Sequence, residues 1–150
     1  MNIKKYPVYL SVVEEIIQAF NYGDIISNSW LIEKSELNVP DMMTRDQHQT
    51  LQFQYMAFIE GVKIELLENH LMALESVRGT GYRIVMPSDQ STLAMTNLKN
   101  SLHKELSKCV KTISFINENL LTDESLKLRD SHRGKIAALA AFSKNTLKRL

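Results

Sequence analysis

A mainly α-helical chain carrying one small β-hairpin is the fold class that this sequence predicts, arranged as a three-helix head and a tail of two long helices. Three observations lead there. Apolar residues recur every three or four positions in several separate stretches, the pattern of amphipathic helices. The segment Met72 to Met86 breaks that rhythm with two short strand-like runs around Gly79 and Gly81. The 150 residues, 44% apolar and 23% charged, have the composition of a folded chain that can bury a core without metals or disulfides.

The first helix starts at Pro7, whose fixed φ and missing amide suit a first helical position. Leu10, Val13, Ile17 and Phe20 form its stripe, and Asn21-Tyr22-Gly23 ends it. Ile25 and Ile26, both β-branched, read as a short extended piece. Ser27 then reads as the N-cap of a second helix reaching about Leu37, with Ile26 and Leu31 at the positions of a hydrophobic staple. Asn38-Val39-Pro40 stops it. Thr44 and Gln47 fit a capping box that opens a third helix, with Leu51, Tyr55, Phe58, Ile59, Val62 and Leu66 on one stripe and an end near Asn69 or His70. Gly61 lies inside and weakens this helix by about 1 kcal/mol relative to Ala.

Met72 to Val77 and Tyr82 to Met86 read as strands, with the two glycines between them supplying the positive φ angles of a tight hairpin. Pro87 lacks the amide needed to continue a ladder. Ser88 or Asp89 caps a helix lasting to about Asn117. On it Met95, Leu98, Leu102, Cys109, Val110, Ile113 and Ile116 approach the seven-residue repeat of paired helices. Thr122 or Asp123 caps the last helix, which carries Ile136, Leu139, Phe142, Thr146, Leu147 and Leu150, with Gly134 as a point where it can kink. The element order over residues 1–87 is that of a winged helix-turn-helix domain. Residues 88–150 form a two-helix basic tail, a C-terminal helical hairpin and a dimerisation element.

The net charge of +1 conceals an asymmetry. Residues 1–86 hold 7 Lys/Arg against 11 Asp/Glu, and residues 87–150 hold 11 against 6. The basic half attracts anionic partners and the acidic half opposes them. One cysteine, Cys109, excludes an internal disulfide and fits a reducing compartment. The apolar run from Val8 to Val13 stops at Glu14 and Glu15, too short for a signal-peptide core, and no stretch approaches the ~20 apolar residues of a membrane span. The expectation is a protein of the cytoplasm with no membrane partner.

The most informative segment is Ser76-Val77-Arg78-Gly79-Thr80-Gly81-Tyr82-Arg83-Ile84. It resembles the wing of response-regulator DNA-binding domains of the winged-helix type, which carry a similar Val-Arg-Gly-x-Gly-Tyr run. The resemblance covers about nine residues and implies wing contacts by Arg78, Thr80 and Arg83. The chain departs from that family on the third helix, where Glu60, Glu65 and Glu68 face Lys63 alone, an arrangement that repels phosphate. Its first turns are better suited to bases: Arg45, Gln49 and Gln52 can pair with guanine or adenine edges, and together with Lys63 they are the residues expected in or near the major groove.

A second resemblance spans more of the chain. Tyr22-Gly23-Asp24-Ile25-Ile26-Ser27 with Trp30-Leu31, Met72-Ala73-Leu74 and Val77 to Val85 is similar to a group of small proteins encoded by bacteriophages and prophages. That similarity implies an accessory or regulatory role in a bacterial host cytoplasm and assigns no chemistry.

In the tail, Arg129, Arg133 and Lys135 cluster with Lys127 and His132, a set suited to a DNA backbone or an acidic protein surface. The closing Lys144, Lys148 and Arg149 are explained by a helix C-terminus alone. The four histidines are scattered, and with one cysteine there is no zinc-finger pattern; no phosphate loop or nucleophile elbow occurs. The sequence therefore predicts a non-enzymatic protein without metal or cofactor. Its expected activity is that of a phage-type transcriptional regulator binding double-stranded DNA as a homodimer. The alternative is an accessory protein that binds and inhibits or redirects a host protein.

Overall fold

The computed structural model describes residues 7–148; Arg149 and Leu150, expected to close the last helix, lie outside them. Among the described residues the order is α1 (Val8–Ala19), β1 (Ile25–Ser27), α2 (Asn28–Lys34), α3 (Arg45–His70), β2 (Leu74–Val77), β3 (Gly81–Ile84), α4 (Gln90–Ser114) and α5 (Asp123–Leu147), with a 3-10 turn at Glu118–Leu120. The protein is mainly helical with a small antiparallel sheet of strand order β1-β3-β2. The chain divides into two units, residues 1–91 and 92–150, so the boundary falls just past Pro87, within the first turn of α4.

Local chemistry explains where the helices begin. Pro7 is the N-cap rather than the first helical residue of α1. The Ser27 side chain accepts from the Trp30 amide at 3.2 Å, opening α2. Thr44 and Gln47 complete a reciprocal capping box at α3, with bonds of 2.9 and 3.3 Å. Thr122 caps α5 by accepting from the Ser125 amide. Helix ends were less legible. α2 stops at Lys34 rather than Leu37, because Glu36 takes a left-handed φ of 56° that no helix continues through. α3 stops at His70, where Leu71 is left-handed and the Met72 amide turns back to the Leu66 carbonyl at 2.9 Å. α4 ends at Ser114 rather than Asn117, and α5 runs unbroken through Gly134.

The core of the first unit joins Val12, Val13 and Ile16 of α1 to Phe58, Ile59, Val62 and Leu66 of α3, with Ile26, Leu31 and Ile84 closing the sheet side. Each such side chain contributes about 1.5–3 kcal/mol by leaving water. Ile26 and Leu31, the staple pair, are both fully buried. Gly61 has a packing reason: a Cβ there would stand 2.9 Å from the Tyr9 ring, so the missing side chain lets α1 lie close against α3. Phe20 meets Trp30 edge-on at 5.2 Å, and Lys34 pairs with Glu15, fastening α2 to α1.

The sheet differs from a hairpin standing by itself. Ile25–Ser27 is a true third strand, registered Ile25 to Arg83, Ile26 to Tyr82 and Ser27 to Gly81. The two glycines have different tasks. Gly79 (φ +75°) occupies the third position of a turn closed by the Thr80 amide on the Val77 carbonyl at 3.0 Å. Gly81 lies within β3, and a Cβ on it would fall 2.0 Å from the Ile26 carbonyl oxygen. That oxygen is backbone and cannot move aside.

Alanine at the two positions should therefore behave differently. Gly79→Ala is expected to cost about 1–2 kcal/mol, the penalty of a left-handed alanine in open space. Gly81→Ala is expected to cost roughly 3–5 kcal/mol or to abolish folding, because β1 must separate from β3. Urea unfolding of both variants checks the order; equal effects would contradict it.

Candidate nucleic-acid interface

The first three turns of α3 are built as a projection. Burial on this helix begins at Phe58; from Arg45 to Gln54 only Leu51 is even partly covered. At 3.6 residues per turn Arg45, Gln49, Gln52 and Lys63 fall on one side of the helix, next to the buried stripe. Arg45, Gln49 and Gln52 are exposed, which a base-reading face requires. Lys63 is half-buried, its ammonium 4.9 Å from the centre of the Tyr82 ring. This cation–π contact ties α3 to β3 and draws Lys63 toward the sheet.

Arg78 and Thr80 are exposed on the hairpin turn. The turn is short and held down. The Asn28 amide donates to the Thr80 carbonyl at 3.0 Å, and Ser27 pairs with Gly81, so the tip lies level with the start of α2. The resemblance implies a wing; the structure shows a short turn hydrogen-bonded to the start of the helix beside it.

Arg83 is separated from the rest. Alternation along β3 directs Tyr82 and Ile84 to the core and Arg83 to the outer face of the sheet, between Ile25 and Glu75. There its guanidinium stands 3.8 Å from the Glu75 carboxylate, both side chains nearly half exposed. Arg83 thus shares no face with Lys63 or Tyr82.

In the second unit the Arg129, Arg133 and Lys135 cluster is also divided. Arg129 is 88% enclosed: 12% of its side chain remains accessible, and it pairs with Asp130 at 2.9 Å and with Glu118. These carboxylates hold its guanidinium even more firmly charged than usual, Asp130 contributing most. Its work is to fasten the Glu118–Leu120 turn to α5. Arg133 donates to the Ile113 carbonyl at 3.4 Å, bridging α5 to α4, while Lys135 is exposed.

The sequence reading missed a second apolar line on α3. Phe53 and Met56 are 62% and 65% exposed, Ile64 and Leu67 nearly half, with Glu60 and Glu68 on the same side. Their spacing was visible, but the stripe ending at Leu66 already accounted for a helix and masked it. In the tail Leu139 and Phe142 of the α5 stripe are exposed; in the second half of that helix Ile136, Ala140, Ser143 and Leu147 are half-covered, as Ser125, Leu126 and Arg129 are in the first half.

Among the described residues no helix is long and apolar enough to cross a membrane, and no group of three or more His, Cys, Asp or Glu is placed to hold a metal ion. Comparison with family models, curated proteins and solved structures finds no match to this chain.

One buried atom is chemically exceptional. Among the described residues the Tyr55 hydroxyl has no hydrogen-bond partner, and burial raises its pKa. Tyr55→Phe removes the unmet polar group and is expected to leave stability unchanged or raise it by about 1 kcal/mol at neutral pH. The pH effect has a definite sign. A phenol whose folded pKa is raised by burial has no pH-dependent effect below its ordinary value near ~10, and the folded state loses stability as pH rises from there through the folded value. The alkaline loss should thus be shallower in Tyr55→Phe; thermal melts from neutral to alkaline pH check it, and an unchanged or steeper loss would contradict the assignment.

Proposed function

We propose that this chain is a non-enzymatic regulator that docks on double-stranded DNA, in the accessory role implied by its resemblance to phage and prophage proteins. The observation that carries the reading is the projection of α3. Three turns stand outside the core of the first unit and leave Arg45, Gln49 and Gln52 exposed. The first unit is read as a winged helix, supported by the order α1-β1-α2-α3-β2-β3 and the sheet order β1-β3-β2. In that reading the amino-terminal turns of α3 enter the major groove and Arg78 touches phosphate from the stapled turn. Arg83, Arg129 and Arg133 are placed second in this reading, because each already has an acceptor of the chain beside it: Glu75, Asp130 and the Ile113 carbonyl. The acidic α3 residues beyond Gln54 limit how far along the helix DNA can lie.

Binding to labelled duplex fragments, followed by fluorescence anisotropy, tests this. Affinity is expected to fall steeply with salt. Arg78→Ala should flatten the salt slope by about one phosphate contact, while Gln49→Ala and Gln52→Ala should each weaken a preferred sequence by about 1–3 kcal/mol. Arg129→Ala should lower the melting temperature with no change in salt slope. Salt-independent binding, or none at low salt, would exclude the reading.

A second reading is favoured by one observation, the exposed line Phe53, Met56, Ile64 and Leu67. Such a surface suits protein rather than phosphate. In this reading the chain binds a host protein and blocks or redirects it. Capture of one partner that survives nuclease treatment and is lost in Ile64→Glu and Leu67→Glu would support it; capture unaffected by both changes would not.

A further inference from the structure

The second unit is unusual in what it fails to bury. α4 and α5 are each 25 residues long, yet neither contributes a buried residue among the described residues. Helices in water are held mainly by packing of an apolar face, and two alone cover too little of theirs. The uncovered surface is organised as a groove of 970 Å³ between them, with a floor of Leu102, Leu106, Val110, Ala140 and Leu147. Its rim is Lys99, His103, Lys111, Lys144 and Lys148, and among the described residues no carboxylate lines it.

The rim decides against the simplest cover. Two such grooves face to face would bring eight lysines together, and like charges so placed oppose association. What fits is an apolar helix face flanked by carboxylates. The chain carries one: α3 exposes Phe53, Met56, Ile64 and Leu67 beside Glu60 and Glu68. At 1.5 Å per residue the α3 line from Phe53 to Leu67 is about 21 Å long, and the α4 wall of the groove, Lys99 to Lys111, about 18 Å. Length, polarity and charge correspond.

We propose that the groove between α4 and α5 receives α3 from a second copy of this chain, and that the exchange is reciprocal. Each protomer then supplies one acidic apolar face and one basic apolar groove, and the pair closes with two-fold symmetry. Self-association is driven by unlike surfaces, not by the tail-to-tail seam that the heptad spacing of α4 suggests. The first turns of α3, with Arg45 and Gln49, lie amino-terminal to the covered line. The proposal does not depend on DNA binding, which can fail while dimerisation stands.

Sedimentation velocity on the full chain tests it, with circular dichroism to confirm that each variant is folded. The expected species is a dimer that weakens as salt rises. Lys111→Glu with Lys144→Glu, and separately Glu60→Lys with Glu68→Lys, should each weaken it at least about tenfold. Mixing the two variants, or combining the four changes in one chain, should restore the dimer. A monomer at every concentration would overturn the proposal, as would an open ladder of higher oligomers. A dimer broken by the groove changes but indifferent to the α3 changes would also overturn it, in favour of tail-to-tail pairing. Loss in both variants without rescue would show that the two surfaces do not meet.

Discussion

The first unit depends on one close approach, where Gly81 passes beneath the Ile26 carbonyl and β3 locks against β1. That contact sets three things at once. It places Ser27 to cap α2, it holds the hairpin turn down through the Asn28 amide, and it directs Tyr82 inward to meet Lys63 of α3. Remove the contact and the turn, α2 and α3 lose their common reference. The amide–carbonyl pairs that continue the seam, Gly23 to Ile84 at 2.7 Å and Ile84 to Asp24 at 2.9 Å, extend it beyond the three strand residues. Such short strands hold because the seam lies against a buried face of Ile26, Leu31 and Ile84.

What could be read from the sequence was governed by range. Caps are settled by residues three apart, so Ser27, Thr44 and Thr122 announced themselves. The α3 core stripe was legible for the same reason, since helical neighbours are close in sequence. β1 was legible as a short extended strand but its pairing was not, because its partner lies more than fifty residues away and three residues carry no alternation long enough to show a face. The two glycines look alike in the sequence; only the position of the Ile26 carbonyl separates a turn residue from a clearance residue.

The candidate site was legible by residue type and not by arrangement. Arg45, Gln49 and Gln52 could be grouped because a helix fixes their common side. That Arg83 and Arg129 stand beside Glu75 and Glu118 was not visible, because those carboxylates are brought alongside by a strand register and by a 3-10 turn; only Asp130, next in the chain to Arg129, was there to be seen. A basic residue counts as a phosphate contact only after its protein partners are known. The same caution applies to hydrophobic patterning: α3 has two apolar lines, and only one is needed for the core.

In the proposed reading α3 serves two surfaces, polar in its first turns and apolar with carboxylates further along. The division of labour is the central claim, and a titration of isotope-labelled protein with a short DNA duplex at low salt tests it most directly. Amide shifts should concentrate between residues 45 and 54 and at Arg78 to Thr80, leaving Ile64, Leu67 and the outer sheet residues Ile25 and Glu75 unmoved. Shifts centred on the lysine-rimmed groove of α4 and α5, or along α3 from Glu60 to Glu68, would contradict it.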